Sequence, residues 1–135
     1  MRIAIVSAPA ERKPIPDYVK ALQNGMASQR HSVDIIDAWT EDGFCLPSYG
    51  YIAVAAETVS LFGGRMPEVL PKVLGGRSGL GGKKSAAFLK KTGPFTAKGL
   101  ARLMDAMEKE GMLVNWSGII LNASHAEALG RHIGS

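Results

Sequence analysis

Short apolar runs alternate along the chain with stretches in which apolar residues recur at helical spacing. Residues 3–6 and 51–56 are continuously apolar, which is typical of strands covered on both faces, as in a parallel sheet. Leu100, Leu103 and Met107 recur at intervals of three and four, which indicates one face of a helix. The alternation of continuous apolar runs with helical spacing predicts an α/β protein.

The pattern predicts five strands and four helices. We expect strands at residues 2–7, 33–37, 51–56, 85–89 and 116–121, and helices at residues 17–30, 67–74, 96–110 and from Ser124 onward. Gly111 is expected to end the third helix, and Ser124 with Glu127 to form a capping box at the fourth. Strands alternating with helices predict right-handed crossovers and a three-layer α/β/α sandwich. Ligands of such sheets bind at the carboxyl ends of the strands, which points to the loops after residues 7, 56 and 91.

Length and composition fit one globular domain that spans residues 1–135. Hydrophobic residues make up 46% of the chain and charged residues 21%, which excludes intrinsic disorder. The chain has no run of the roughly 18 apolar residues that a membrane span needs, and residues 1–9 do not resemble a secretory signal. Cys45 is the single cysteine and has no partner for an internal disulfide, so a reduced, cytoplasmic protein is expected.

Several familiar sites are excluded by spacing. The glycine-rich residues 75–85 lack the spacing of a P-loop, and they precede a predicted strand where such loops follow one. His125 and His132 are seven residues apart with no third ligand nearby, so no metal site is expected. Cys45 has no neighbouring histidine that marks a nucleophile.

The segment after the third strand carries the most specific signal. Residues 58–67 read TVSLFGGRMP, which resembles the G-[ST]-P-x-[YF]-x-G-x-x-P loop of the flavodoxin-like family. Phe62, Gly64 and Pro67 match the aromatic, glycine and proline positions of that pattern. Thr58 and Ser60 stand where the family has glycine and proline.

Other segments extend the resemblance over nearly the whole chain. Residues 82–88, GKKSAAF, are similar to the family's approach to the fourth strand, and residues 92–94, TGP, to its third loop. The resemblance implies a parallel sheet of order 2-1-3-4-5, an FMN cofactor, and electron transfer or a small flavin-dependent reductase activity. The residues it implies around the flavin are Thr58, Ser60, Phe62, Gly64, Thr92, Gly93 and Phe95.

The first loop departs from the family. Residues 7–16 read SAPAERKPIP, where the family has a glycine- and hydroxyl-rich loop that surrounds the FMN phosphate. Ser7 is the one hydroxyl, three prolines remove amide donors, and Arg12 and Lys13 could attract a phosphate only as charges. A second hypothesis is therefore a flavodoxin-fold scaffold that has lost FMN and works through protein contacts. A third is that Arg12 and Lys13 bind another phosphorylated small molecule.

The charge balance is the other departure. Sixteen Lys and Arg face twelve Asp and Glu, for a net charge of +4, whereas flavodoxins that carry electrons are usually acidic. The resemblance therefore implies an acidic redox partner protein, or none. A mild positive charge permits nucleic-acid binding without favouring it. Family members also self-associate, but no residue pattern here fixes the interface of a homo-oligomer.

Overall fold

The computed structural model describes residues 1–59, 65–75 and 79–133. The strands in this part of the chain are β1 (Arg2–Ala8), β2 (Ser32–Asp37), β3 (Tyr51–Ala56), β4 (Lys84–Lys90) and β5 (Leu113–Ile120). The α-helices are α1 (Asp17–Ala27), α2 (Val69–Leu74), α3 (Thr96–Lys109) and α4 (Ala123–Gly130), with a short 3-10 turn at Leu46–Ser48.

The strands form one sheet of order β2-β1-β3-β4-β5. Every neighbouring pair is parallel, so the carboxyl ends of all five strands lie at one edge. Both the α/β class and the order 2-1-3-4-5 are confirmed. The strand order changes side at β1: β2 lies on one side of it, and β3, β4 and β5 follow on the other.

Two apolar cores cover the two faces of the sheet. Alternate residues of β1 point to opposite sides, so Ile3 and Ile5 join the cluster that contains Leu22 and Met26 of α1. Ala4 and Val6 join the cluster that contains residues of α2 and α3. Burial on both sides explains why β1, β3 and β4 lack polar alternation in their sequences.

Several predicted boundaries were wrong, among them the end of α1, which lies at Ala27 rather than at residue 30. The strand β5 begins at Leu113 rather than Trp116. The prediction was too short because this strand lies at the sheet edge and its first residues are largely exposed. The helix α4 is capped by Asn122, whose side-chain oxygen accepts a hydrogen bond from the His125 backbone N–H at 2.8 Å. Ser124 lies inside the first turn, so the predicted capping box does not form.

Candidate binding site at the carboxyl ends of the strands

Three loops meet at the carboxyl edge of the sheet. The first joins β1 to α1 (residues 9–16), the second joins β3 to α2 (residues 57–68), and the third joins β4 to α3 (residues 91–95). They are neighbours because β1, β3 and β4 are adjacent and parallel. This is the edge at which the sequence placed the binding site.

The carboxylate of Glu57 lies between the first and second loops. The residue directly follows β3 and is 7% exposed. Its Oε1 accepts hydrogen bonds from the Ala10 backbone N–H and the Lys13 ammonium, both at 3.1 Å. Its Oε2 accepts a hydrogen bond from the Tyr18 hydroxyl at 2.7 Å. The three donors belong to the β1–α1 loop and the first turn of α1, so one carboxylate fixes this loop to the end of β3.

These contacts keep Glu57 ionised. Burial by itself would raise the pKa of the carboxyl group, but the hydrogen bonds from Tyr18, Ala10 and Lys13 outweigh it and hold the pKa below its ordinary value. Burial, followed by the hydrogen bond to Glu57, raises the pKa of the Tyr18 hydroxyl. The pair therefore consists of an ionised carboxylate and a neutral phenol at neutral pH.

Further bonds hold the first loop in place. The Trp39 indole N–H donates to the Pro9 carbonyl at 2.9 Å, and the Glu57 backbone N–H donates to the Ala8 carbonyl at 3.1 Å. Trp39 is half-buried. The loop is thus anchored on the β2 side by an indole and on the β3 side by a carboxylate.

The three residues predicted for the phosphate end of a ligand have different surroundings. Arg12 is exposed, whereas Lys13 forms a salt bridge with Glu57. Ser7 is 1% exposed, and its hydroxyl has no hydrogen-bond partner among the described residues. The structure therefore does not bring these three side chains together as a set of free donors.

The residues predicted for the ring end lie on the second and third loops. The hydroxyls of Thr58 and Thr92 are 3.1 Å apart and link the two loops. The Thr96 hydroxyl donates to the Gly93 carbonyl at 2.7 Å and fixes the third loop to the start of α3. Phe95 is 42% exposed at this edge. Ser60, Phe62 and Gly64 lie outside the described residues.

The β1–α1 loop does not fit the phosphate of FMN. Its Ala10 N–H and Lys13 ammonium, together with the Tyr18 hydroxyl, are bonded to Glu57, and prolines at 9, 14 and 16 supply no N–H. A phosphate placed on these donors would meet a buried carboxylate of its own sign. Two negative groups that share the same hydrogen-bond donors repel each other strongly in a poorly solvated site.

Comparison with solved structures decides the fold. No family model matches the sequence, and no curated protein matches it. A flavodoxin from the domain Archaea superposes with a TM-score of 0.73 at 19% identity, covering 98% of this chain and 96% of that one. The chain has the flavodoxin-like fold.

Two further structures show the range of proteins that share the flavodoxin-like fold. Two-electron reduced Megasphaera elsdenii flavodoxin gives a TM-score of 0.72 at 14% identity, with 96% of each chain covered. The flavodiiron protein from Giardia intestinalis gives 0.72 at 13% identity, with 96% of this chain and 34% of that one covered. At identities this low, the structural similarity establishes the fold alone, and the cofactor has to be argued from the residues of this chain.

Glu57 was missed by the sequence analysis. An acidic residue directly after a buried strand, at the edge where a basic loop is expected, is the signal that could have found it. Lys83 was assigned to a family motif, but its ammonium donates to the carbonyls of Pro47 and Tyr49 at 2.9 and 2.7 Å. Its charge therefore braces the segment before β3.

A few further observations concern metal sites, the candidate histidine and cysteine, and membrane-spanning helices. Within residues 1–59, 65–75 and 79–133, no three His, Cys, Asp or Glu side chains are grouped to hold a metal ion. His125 accepts a hydrogen bond from the Leu121 backbone N–H at 3.1 Å, and Cys45 is exposed. None of the helices in those ranges has the length and apolar character to cross a membrane.

Proposed function

We propose that this protein uses its flavodoxin-like fold to bind an acidic protein partner through the loops after β3 and β4, without holding FMN. The observation that carries the proposal is the Glu57 carboxylate, which takes up the donors of the β1–α1 loop. A phosphate ester gains much of its affinity from such donors. Without them, FMN loses the charged end of its binding site.

The surface around the second and third loops supports an acidic partner. Residues 58–68 and 90–98 contain four basic side chains and one acidic one, Glu68; the basic ones are Arg65, Lys90, Lys91 and Lys98. Val59 is 44% exposed and Phe95 42% exposed within the same loops. Exposed apolar groups on segments rich in cations are suited to a protein surface of opposite charge.

The state of the purified protein tests the first half of the proposal. We expect protein isolated from cells to show no visible flavin absorbance, and added FMN to keep its fluorescence on titration into the protein. Extraction with acid, followed by chromatography, checks for a flavin hidden by quenching. FMN that copurifies in stoichiometric amount would contradict the proposal.

The second candidate is FMN binding with electron transfer or a small flavin-dependent reductase activity. The contact between Thr58 and Thr92 favours it, because it joins the two loops expected around a flavin ring, and the structures of similar fold include named flavodoxins. The side chains proposed to surround the ring are those of Thr58, Ser60, Phe62, Thr92 and Phe95, with Gly64 and Gly93 giving backbone access. Ser7, Arg12 and Lys13 would then lie toward the phosphate.

Substitution of the aromatic residues tests this candidate. If Phe62 stacks on the flavin ring, Phe62→Ala should weaken FMN binding markedly, since stacking supplies much of the contact with a flat apolar ring. Phe44→Ala is the matched control, because Phe44 is 78% exposed on the loop that follows β2. Equal FMN affinity in wild type and Phe62→Ala would remove Phe62 from the site.

A further inference from the structure

The donors of the β1–α1 loop and α1 form an anion-binding site that is occupied by the Glu57 carboxylate of the same chain. A backbone N–H, an ammonium and a phenol converge on the two oxygens of Glu57. The donors come from residues 39 to 47 positions away in sequence. Local chain geometry therefore does not impose this arrangement.

A fourth polar group lies on the same side of the sheet. Ser7 and Glu57 share the sheet face on which Ile5 and Ala53 lie, because side chains of a strand alternate between its faces. The Ser7 hydroxyl is buried and has no partner among the described residues. A buried hydroxyl without a partner is costly, and here it lies one strand away from the carboxylate.

We infer that Glu57 determines the ligand class of this loop: it excludes phosphate-bearing ligands from the native protein, and its removal opens a site for a phosphate-sized anion. The donors that hold the carboxylate are the kinds that hold a phosphate oxygen. An incoming phosphate must first displace a carboxylate that is attached to the chain and is already in place. The inference concerns this loop alone and holds whether or not a flavin ring binds at the β3 and β4 loops.

Binding of inorganic phosphate to Glu57→Ala tests the inference. We expect this variant to bind phosphate at least about tenfold more tightly than wild type, because three donors lose their internal acceptor. Calorimetric titration and the rise of melting temperature with phosphate, at constant ionic strength, measure the difference. Circular dichroism confirms that the variant is folded.

Two further variants separate the site from a general charge effect. Glu11→Ala is the matched control, since Glu11 is an exposed acid of the same loop and its loss changes the net charge equally. It should bind phosphate no better than wild type. Glu57→Ala combined with Lys13→Ala should lose the gained binding, since Lys13 is the cation of the site. Equal phosphate binding by the single and double variants would overturn the inference.

The wild-type protein supplies a test that does not depend on the folding of a variant. Glu57 should leave FMN with no advantage over riboflavin, which lacks the phosphate. We therefore expect either that neither flavin binds or that the two affinities agree within about threefold, a difference of less than 1 kcal/mol. FMN bound at least about tenfold more tightly than riboflavin would overturn the inference. Equal and tight binding of both flavins would instead contradict the proposed function and leave the role of Glu57 intact.

Discussion

Glu57 illustrates how a single buried charge is maintained at the end of a strand. Taking a carboxylate out of water is unfavourable, and the opposing contribution comes from three hydrogen bonds, one of them to an ammonium. Hydrogen bonds to charged groups contribute about 1.5–3 kcal/mol each. The lowered pKa of Glu57 indicates that these bonds outweigh burial.

Acid should therefore reduce stability through this residue. A carboxyl group with a lowered pKa in the folded state stabilises the protein above its unfolded pKa, near the ordinary value of 4.5, and this stabilisation is lost as pH falls through the lower folded pKa. We expect the free energy of unfolding of wild type to fall more between pH 6 and pH 3 than that of Glu57→Gln. Urea unfolding at each pH measures both. Parallel pH profiles for the two proteins would show that Glu57 is not the group involved.

The helices α1 and α4 approach each other through glycine. A Cβ added at Gly25 would overlap the Glu127 backbone carbonyl, and one added at Gly130 would overlap the Leu22 backbone carbonyl. Both obstacles are backbone atoms, which cannot rotate away as a flexible side chain would. The two glycines therefore allow the close approach of these helices.

Substitution of Gly130 by alanine places two effects in opposition. Alanine favours a helix over glycine by about 1 kcal/mol, but forcing an extra carbon against backbone costs about 1–3 kcal/mol or more. We expect the overlap to dominate, and Gly130→Ala to lower the free energy of unfolding by about 1–2 kcal/mol net. Denaturant unfolding measures it.

Gly81→Ala is the control for this substitution. A Cβ at Gly81 would meet nothing within 4 Å, so this variant should change stability by no more than about 0.5 kcal/mol. If Gly130→Ala were as stable as Gly81→Ala, the two helices would not be limited by glycine packing.

Prediction from sequence succeeded where burial was continuous. The third strand was predicted with its observed bounds, Tyr51–Ala56, because all six residues are buried. The start of β5 was wrong because an exposed edge strand has no apolar run. The pairing of Glu57 with Tyr18 spans 39 residues, and no local period reports a contact of that kind. The element order followed from pattern, whereas the chemistry of the site depended on long-range packing.

Charge is distributed unevenly over the whole molecule. Residues 58–68 and 90–98 contain four basic side chains and one acidic one, whereas the loop after β2 contains Glu41 and Asp42 and no basic residue. A net charge of +4 therefore understates the field at the carboxyl edge between β3 and β4. An acidic surface approaching the protein should be attracted to that edge first.

Charge reversal near each end of one helix tests whether an acidic surface binds at the carboxyl edge. Lys98 and Lys109 are both exposed on α3, near its first and last residues. Eleven residues of helix separate them by about 16 Å, about twice the screening length of about 8 Å at physiological salt. With poly-glutamate as an acidic probe, we expect Lys98→Glu to weaken binding several-fold more than Lys109→Glu, although both lower the net charge equally. Fluorescence anisotropy of labelled probe at two salt concentrations measures this. Equal weakening by the two variants would show that the probe responds to net charge alone, and the carboxyl edge would lose its role as the docking face.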